Sequence, residues 1–311
     1  MVTKARRDGR AGYALLATLW ICVGIGALTW LISVHARDAM ATSRNRIALT
    51  QAAWNARSCL ARVRETLRAA LELERVRGPD PFGAVWDHVD QVIMKSDPSA
   101  SGCTLTARPI GSRVDVNATD EPTLARLLSA AGLPVASADS AAAALSDWID
   151  ADDAVRPLGA ERSWYQAHGR GGPSNLPFVS VRELRLVRGL ETFARLDSVL
   201  DVEPGPIALN HAVPEALSLL PGFTERTVQA LLDARARGTP ISTFHDLTAL
   251  LDTNAVGASA RLPGIVVFPA TAWVITIRSR VGDPPLTAVL ESRLVRGTNS
   301  TSVARRRAWV E

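Results

Sequence analysis

Lysine is almost missing from this chain. Of its 35 basic residues only Lys4 and Lys95 are lysines, which reads as a mutational preference for arginine rather than a functional signal. Cysteine is scarce too: Cys22, Cys59 and Cys103 form no CxxC pair, which excludes a disulfide framework or a metal knuckle. His35, His88, His168, His211 and His245 stand singly, no G-x-S-x-G occurs and no EF-hand spacing is found. Nothing therefore suggests a catalyst, and the chain reads as a non-enzyme.

Hydrophobic residues make up 47% of the 311 residues and charged residues 21%, the balance of a folded protein rather than a disordered one. The net charge of +4 and pI near 9.4 point at first to a nucleic-acid partner, but much of the positive charge sits at the two ends.

The N-terminus carries Lys4, Arg6, Arg7 and Arg10, then no charge from Ala11 to Val34, long enough to cross a bilayer. Three readings compete. A secretory signal peptide would use Val34-His35-Ala36 as its cleavage site, but this apolar core exceeds the roughly 7–15 residues of such signals. A signal anchor fits the length, and the basic residues before the span place the N-terminus in the cytoplasm and the bulk of the chain outside. The third reading is a leader cut after Gly12. No Pro or Gly lies between Ala27 and Val76, so one helix continues past the membrane. Ile47, Trp54, Leu60, Val63, Leu67 and Leu71 are its expected buried stripe. Cys59 and Cys103 fall beyond the membrane, where they pair or stay buried as free thiols.

The basic leader, Gly12 and the long helix resemble the class III leader of type IV pilins and type II secretion pseudopilins. The resemblance implies cleavage between Gly12 and Tyr13 by a prepilin peptidase, with methylation of Tyr13. The usual Glu at the fifth mature position is here Ala17. That absence resembles the large minor pseudopilin K (GspK) family, whose members are thought to sit at the tip with no subunit above them.

Two segments look like degenerate copies of one unit, Val114–Pro134 and Ile207–Gly238. Each has a short β-like entry, an Asn expected to cap a helix (Asn117, Asn210), and leucines at helical spacing, with Leu124 and Leu127 matching Leu217 and Leu220. The second continues through Pro221-Gly222-Phe223 in a helix-hairpin-helix pattern similar to the membrane-anchored DNA receptor ComEA, the alternative function. Charge argues against DNA. Asp201–Ala260 holds seven acidic residues against Arg226, Arg235 and Arg237, and Ser112–Ala160 holds eight against Arg113, Arg126 and Arg156, so a phosphate backbone would be repelled. Thr224 also stands where a DNA-binding hairpin needs a second Gly.

Between the copies, D-W-I-D-A-D-D (Asp147–Asp153), then R-P, G-A-E, N-x-P-F-V-S-V-x-E-L and R-L-V-R-G, resemble the GspK family closely. Ser180 and Glu183 read as a capping box. The resemblance implies an α+β fold of the type IV pilin kind: a long N-terminal helix packed on an antiparallel sheet, with a large α-helical insertion containing helix-hairpin-helix-like repeats. The expected organisation is leader 1–12, transmembrane helix 13–36, amphipathic helix and start of the body 37–113, insertion 114–255, and C-terminal strands 256–311. The strands are read from the alternation in TAWVITIRSRV, LTAVLESRLVRG and VARRRAWV. The implied role is a minor pseudopilin of the type II secretion system, a single-pass bacterial inner-membrane protein with its bulk in the periplasm. Its implied partners are other minor pseudopilins, the prepilin peptidase and the inner membrane, with no nucleic acid. Asp150, Asp152, Asp153 and Glu161 supply hard oxygen ligands of the kind Ca²⁺ prefers, the one cofactor expected. An acidic loop held only by water is the competing reading.

Overall fold

The structure is a computed structural model that describes residues 10–78, 84–95, 102–251, 256–297 and 301–310; leader residues 1–9 lie outside the described residues. It opens with α1 (Arg10–Arg77), one unbroken helix of 68 residues. With neither Pro nor Gly from Ala27 to Arg77 nothing interrupts its hydrogen-bond ladder. Its first part is exposed and apolar and is the one stretch among the described residues long and apolar enough to cross a membrane. Its second part is amphipathic, but the buried stripe differs from the expected one. Ala48, Ala52, Ala56, Leu60, Val63, Leu67 and Leu71 are buried, whereas Ile47 and Trp54 are 64% and 60% exposed. Three alanines let the sheet approach the backbone closely, which leaves the two large side chains on the opposite face.

A 3₁₀ turn at Val85–His88 leads into α2 (Val89–Met94), then β1 (Cys103–Pro109). The chain returns to the same sheet only in β6 (Ala272–Val281), β7 (Leu286–Arg296) and β8 (Thr301–Val310). Strand order is β1-β6-β7-β8, antiparallel throughout, with Cys103 opposite Ser279, Ile277 opposite Leu290 and Val289 opposite Trp309. The three C-terminal strands fall where the alternation places them; β1 is an addition to that reading. One face of the sheet, through Trp273, Ile275, Ile277, Leu290 and Leu294, packs on Leu60, Val63 and Leu67 of α1. Trp86 Nε1 donates to Ala270 O at 2.8 Å and Trp273 Nε1 to Trp86 O at 2.9 Å, which satisfies both buried indoles. Cys59 and Cys103 form a disulfide that ties α1 to the edge strand β1.

Everything between β1 and β6 is therefore an insertion into the sheet's connectivity. It runs β2 (Val114–Asp115), α3 (Glu121–Ala130), α4 (Val135–Ile149), α5 (Arg162–Ala167), α6 (Leu196–Val199) and β3 (Leu200–Asp201), then β4 (Ile207–Ala208), α7 (Pro214–Ser218), α8 (Glu225–Ala236), α9 (Phe244–Leu250), α10 (Val256–Ser259) and β5 (Val266–Val267). β2 pairs with β3 and β4 with β5, both in parallel. Leu124, Leu127, Leu145, Tyr165, Leu184, Leu217 and Leu231 share one core. At the crossing of the two pairs stands Gly111 (φ +82°), where any Cβ would collide with the Pro206 carbonyl, so only glycine fits.

Asn117 and Asn210 do not cap helices. The cap of α3 is Asp120, whose carboxylate accepts from Thr123 N, and α7 begins after Val213 with no side-chain cap bond. Each asparagine instead pins a distant extended segment with two hydrogen bonds. Asn117 donates to Phe178 O (3.0 Å) and accepts from Phe178 N (2.8 Å); Asn210 donates to Ile241 O (2.8 Å) and accepts from Ile241 N (3.0 Å). An Asn amide carries the same donor and acceptor as a backbone peptide, so it replaces a missing β-bridge partner.

The insertion rests on the sheet's other face through two buried carboxylates. Asp201 pairs with Arg108 of β1, while Glu203 meets Arg307 at 2.8 Å and Arg293 at 3.6 Å. Buried ion pairs hold geometry more surely than they add stability, and these fix the insertion's seat.

Candidate functional site: an acidic cluster and a membrane helix

Asp147 and Asp150 lie one helical turn apart at the end of α4, so both carboxylates leave the same side. Asp150 is the C-cap of α4 and Glu161 the N-cap of α5, accepting from Arg162 N. The turn between these helices folds back and brings carboxylate oxygens of Asp147, Asp150 and Glu161 within 4.8 Å of one another. Asp147 is fully buried and Glu161 nearly so. Gly159 makes room, since a Cβ there would strike the Asp147 carboxylate.

The cluster holds one cation of its own. Arg156 Nη1 donates to Asp147 Oδ1 at 2.8 Å and also to Asp150 Oδ2, and Arg156 Nε faces Glu121 at 3.6 Å. Its side-chain hydrogen bonds, to Asp147 first and then Asp150, raise the Arg156 pKa further above its usual value. Burial pushes the Glu161 carboxyl upward, against a lowering by the Arg162 N–H and with a further rise from Asp147 and Asp150. Asp150 Oδ1 and Glu161 Oε1 are buried without hydrogen-bond partners, a costly state for carboxylate oxygens. The three carboxylates of the cluster, with Glu121 beside them, outnumber the one guanidinium, and the orphaned oxygens fit a hard divalent cation.

Of the four residues expected from the sequence, Asp150 and Glu161 come together. Asp152 and Asp153 are exposed: Asp152 Oδ1 accepts from Ala154 N at 2.8 Å, and Asp153 lies 3.9 Å from Arg162. Asp147 joins Asp150 and Glu161 although it is not among the four expected residues, and the D-W-I-D spacing is the signal for it. Trp148, between the two aspartates, points the other way, edge-on to Tyr165 (5.2 Å) and stacked on Phe178 (6.1 Å). Ser180 Oγ caps a 3₁₀ turn through Arg182 N, while Glu183 accepts from Val179 N.

Gly12 and Tyr13 both lie within α1, and Tyr13 is exposed. Thr224, where a DNA-binding hairpin would carry glycine, is the N-cap of α8 and accepts from Thr227 N.

Residues 105–204 match the family described as type II secretion system (T2SS), protein K. No curated protein matches the sequence. The whole fold is similar to a chain in the crystal structure of the GspK-GspI-GspJ complex from the type 2 secretion system of enterotoxigenic Escherichia coli, with a TM-score of 0.59 and 20% identity over 86% of this chain and 99% of that one. The family match takes in about a third of the chain, and the structural match shows a fold shared with that complex's chain. The fold is pilin-like α+β, and the family is a structural component of a secretion system. Among the described residues the apolar half of α1 is the one segment that can cross a membrane, which fits a single-pass, membrane-anchored chain. Neither comparison supports a ComEA-like DNA receptor. The family match begins in β1 and ends just past β3, so it covers the acidic cluster and the first Asn pin.

Proposed function

We propose that this chain is a GspK-type minor pseudopilin, the tip subunit of a periplasmic pseudopilus that supports export of folded proteins across the outer membrane, and that its work is assembly rather than catalysis. Ala17 carries this reading. A carboxylate at that depth is expensive in a bilayer unless a neighbour pairs with it, and a subunit with none above it has no use for one. The basic residues ahead of the span orient the N-terminus to the cytoplasm and the insertion to the periplasm, an oxidising compartment in keeping with the Cys59–Cys103 bridge. Other minor pseudopilins pack along α1. Ile47 and Trp54, seven residues apart on its exposed face, with Arg57 5.1 Å over the Trp54 ring, are among the apolar contacts left for them, with Met40, Leu73 and Val76. The similar Escherichia coli chain was crystallised with GspI and GspJ, and counterparts of those subunits are the expected partners here.

Processing by a prepilin peptidase cuts between Gly12 and Tyr13, and Tyr13 is then methylated. Calcium binds at Asp147, Asp150 and Glu161, with solvent or main-chain oxygens completing the shell; the orphaned oxygens of Asp150 and Glu161 support that assignment. The bound cation would neutralise the cluster and hold the α4–α5 turn.

Co-expression with a prepilin peptidase tests the assembly reading, and intact mass reads the result. The mature chain is expected to begin at Tyr13 and to cross-link through a photoreactive residue at Trp54 to another minor pseudopilin. A chain left unprocessed, or one beginning at Arg37, would sink the proposal.

A further inference from the structure

The back of the sheet, turned away from α1, is rich in arginine, and the insertion covers only part of it. Between the two lies a cavity of about 400 Å³, lined by Arg108, Arg113, Arg182, Arg278 and Arg307. Three carboxylates share the lining, and each has a partner. Asp201 is taken by Arg108, Glu291 by Arg307 at 2.9 Å, and Asp197 by Arg185, from outside the lining, at 2.8 Å. Behind the lining, Glu203 also meets Arg307 at 2.8 Å but is shared with Arg293 at 3.6 Å, so that outer pair cancels and the five guanidinium groups of the lining against its three carboxylates leave an excess of two positive charges.

The cavity also holds donors without acceptors. Among the described residues the half-buried Arg113 guanidinium donates no hydrogen bond and makes no ion pair, feeling Asp197 only at longer range. Arg307 Nε is buried with no hydrogen-bond partner. Burial lowers the pKa of Arg113 and lowers that of Arg108 to about 10, the mark of cations withdrawn from water. One wall is the Trp309 ring, with the Arg182 guanidinium 5.2 Å above it. A desolvated guanidinium is costly unless an anion meets it, and its planar fork of N–H donors matches carboxylate and phosphate oxygens.

We propose that this cavity is a binding site for a small dianion presenting carboxylate or phosphate oxygens. Two negative charges would balance the lining. The volume lies within the range of small-molecule sites and is too small for a folded partner. The dianion would bridge the sheet and the insertion, since Arg108, Arg278 and Arg307 belong to one and Arg113 and Arg182 to the other, so its binding would stiffen their junction.

The test uses the full chain in detergent micelles, titrated with sodium phosphate, sodium malonate or sodium chloride at matched ionic strength, and followed by thermal unfolding and calorimetry. Phosphate, malonate or both are expected to bind at one site per chain and raise the melting temperature above the chloride curve; the active arm tells a phosphoryl ligand from a dicarboxylate. Arg113→Gln is expected to weaken binding by about tenfold or more, as loss of a charge-assisted contact would. Arg182→Gln carries the same expectation, so misfolding of one variant leaves the other to decide. Arg126→Gln, on the exposed side of α3, is expected to change nothing. Neither dianion differing from chloride, or binding that survives both cavity variants, would overturn the proposal.

Discussion

The insertion offers its own control, because its two halves, Val114–Asp201 and Ile207–Val267, use one plan for different ends. Each opens with a two-residue strand that pairs in parallel with the strand closing the same half. In each, an asparagine two residues past the opening strand pins an extended segment through both its amide atoms. They differ in what surrounds a central arginine. In the first half Arg156 sits among carboxylates. In the second, Arg235 donates to backbone carbonyls, Ala212 O at 2.7 Å and Leu209 O, and burial lowers its pKa to about 10. An arginine whose two terminal nitrogens meet carbonyls closes a core, although its Nε stays without a partner; one outnumbered by carboxylates leaves negative charge for something else to neutralise. The scaffold is repeated, and the charge chemistry is confined to one copy.

The largest expected effect tests whether the halves are equal as scaffolds. Leu124 and Leu217 occupy matching, fully buried positions. Truncation to alanine removes transfer energy and leaves a cavity, at about 3 kcal/mol or more. Leu124→Ala and Leu217→Ala are each expected to lower stability by that order in denaturant titrations of the full chain. A loss confined to one variant would show that one half is a loosely packed appendage.

How much of this was legible beforehand follows from the range of the forces involved. Helix continuity and strand alternation are local, so α1 and the last three strands could be read from spacing alone. Burial within α1 could not, because whether the sheet approaches along Ala48, Ala52 and Ala56 or along Ile47 and Trp54 depends on the partner's shape. β1 has no such local signature, since its pairing with β6 spans the whole insertion. Asn117 and Asn210 stand out in the sequence but not for what they do: an Asn before a helix fits a cap by local rule, while their bonding to Phe178 and Ile241 is a tertiary event. The acidic cluster was half visible. D-W-I-D-A-D-D marks the place, but only the fold separates the inward Asp147 and Asp150 from the outward Asp152 and Asp153.

Calcium comes next in size and should split the halves. Binding only to the native state stabilises by about 2.7 kcal/mol at a hundred times Kd. The melting temperature of the full chain is expected to rise with calcium over chelator, and Asp147→Asn or Glu161→Gln should abolish the rise while Asp152→Asn and Asp153→Asn leave it. Acidity adds a signature. The folded Glu161 pKa is raised above its ordinary 4.5, so without metal its contribution is fully present below 4.5 and is lost as pH rises through the folded value. Calcium needs the ionised form, so its benefit should grow over the same interval. Equal melting curves in calcium and chelator across that range would leave the cluster a solvated acidic turn.

Smaller, and expected to be the same in both halves, is the loss of a pin. Asn117→Ala strands the N–H and C=O of Phe178, and Asn210→Ala those of Ile241, residues that are 2% and 7% exposed. Each should cost about 2 kcal/mol, within the penalty for unsatisfied buried groups. Asn→Asp, which keeps the acceptor and loses the donor, should recover part of it. A cost in one half only, measured by chemical denaturation, would mean that the shared geometry carries unequal strain.

The smallest effect separates the halves by pH. Asp120 caps α3 in the first half and Thr224 caps α8 in the second; either replaced by alanine should cost about 1 kcal/mol at neutral pH. Only the first cap titrates. Hydrogen bonds from Thr123, side chain first and then backbone, lower the Asp120 pKa below 3.8. A carboxylate with a depressed folded pKa contributes stability that is whole above its unfolded value and is lost as pH falls through the folded one. The gap between wild type and Asp120→Ala should therefore close as pH drops below 3.8, while the gap for Thr224→Ala stays constant. Denaturation curves at pH 7 and pH 2.5 read both gaps, and parallel behaviour of the two variants would mean that the Asp120 carboxylate does not act as the cap.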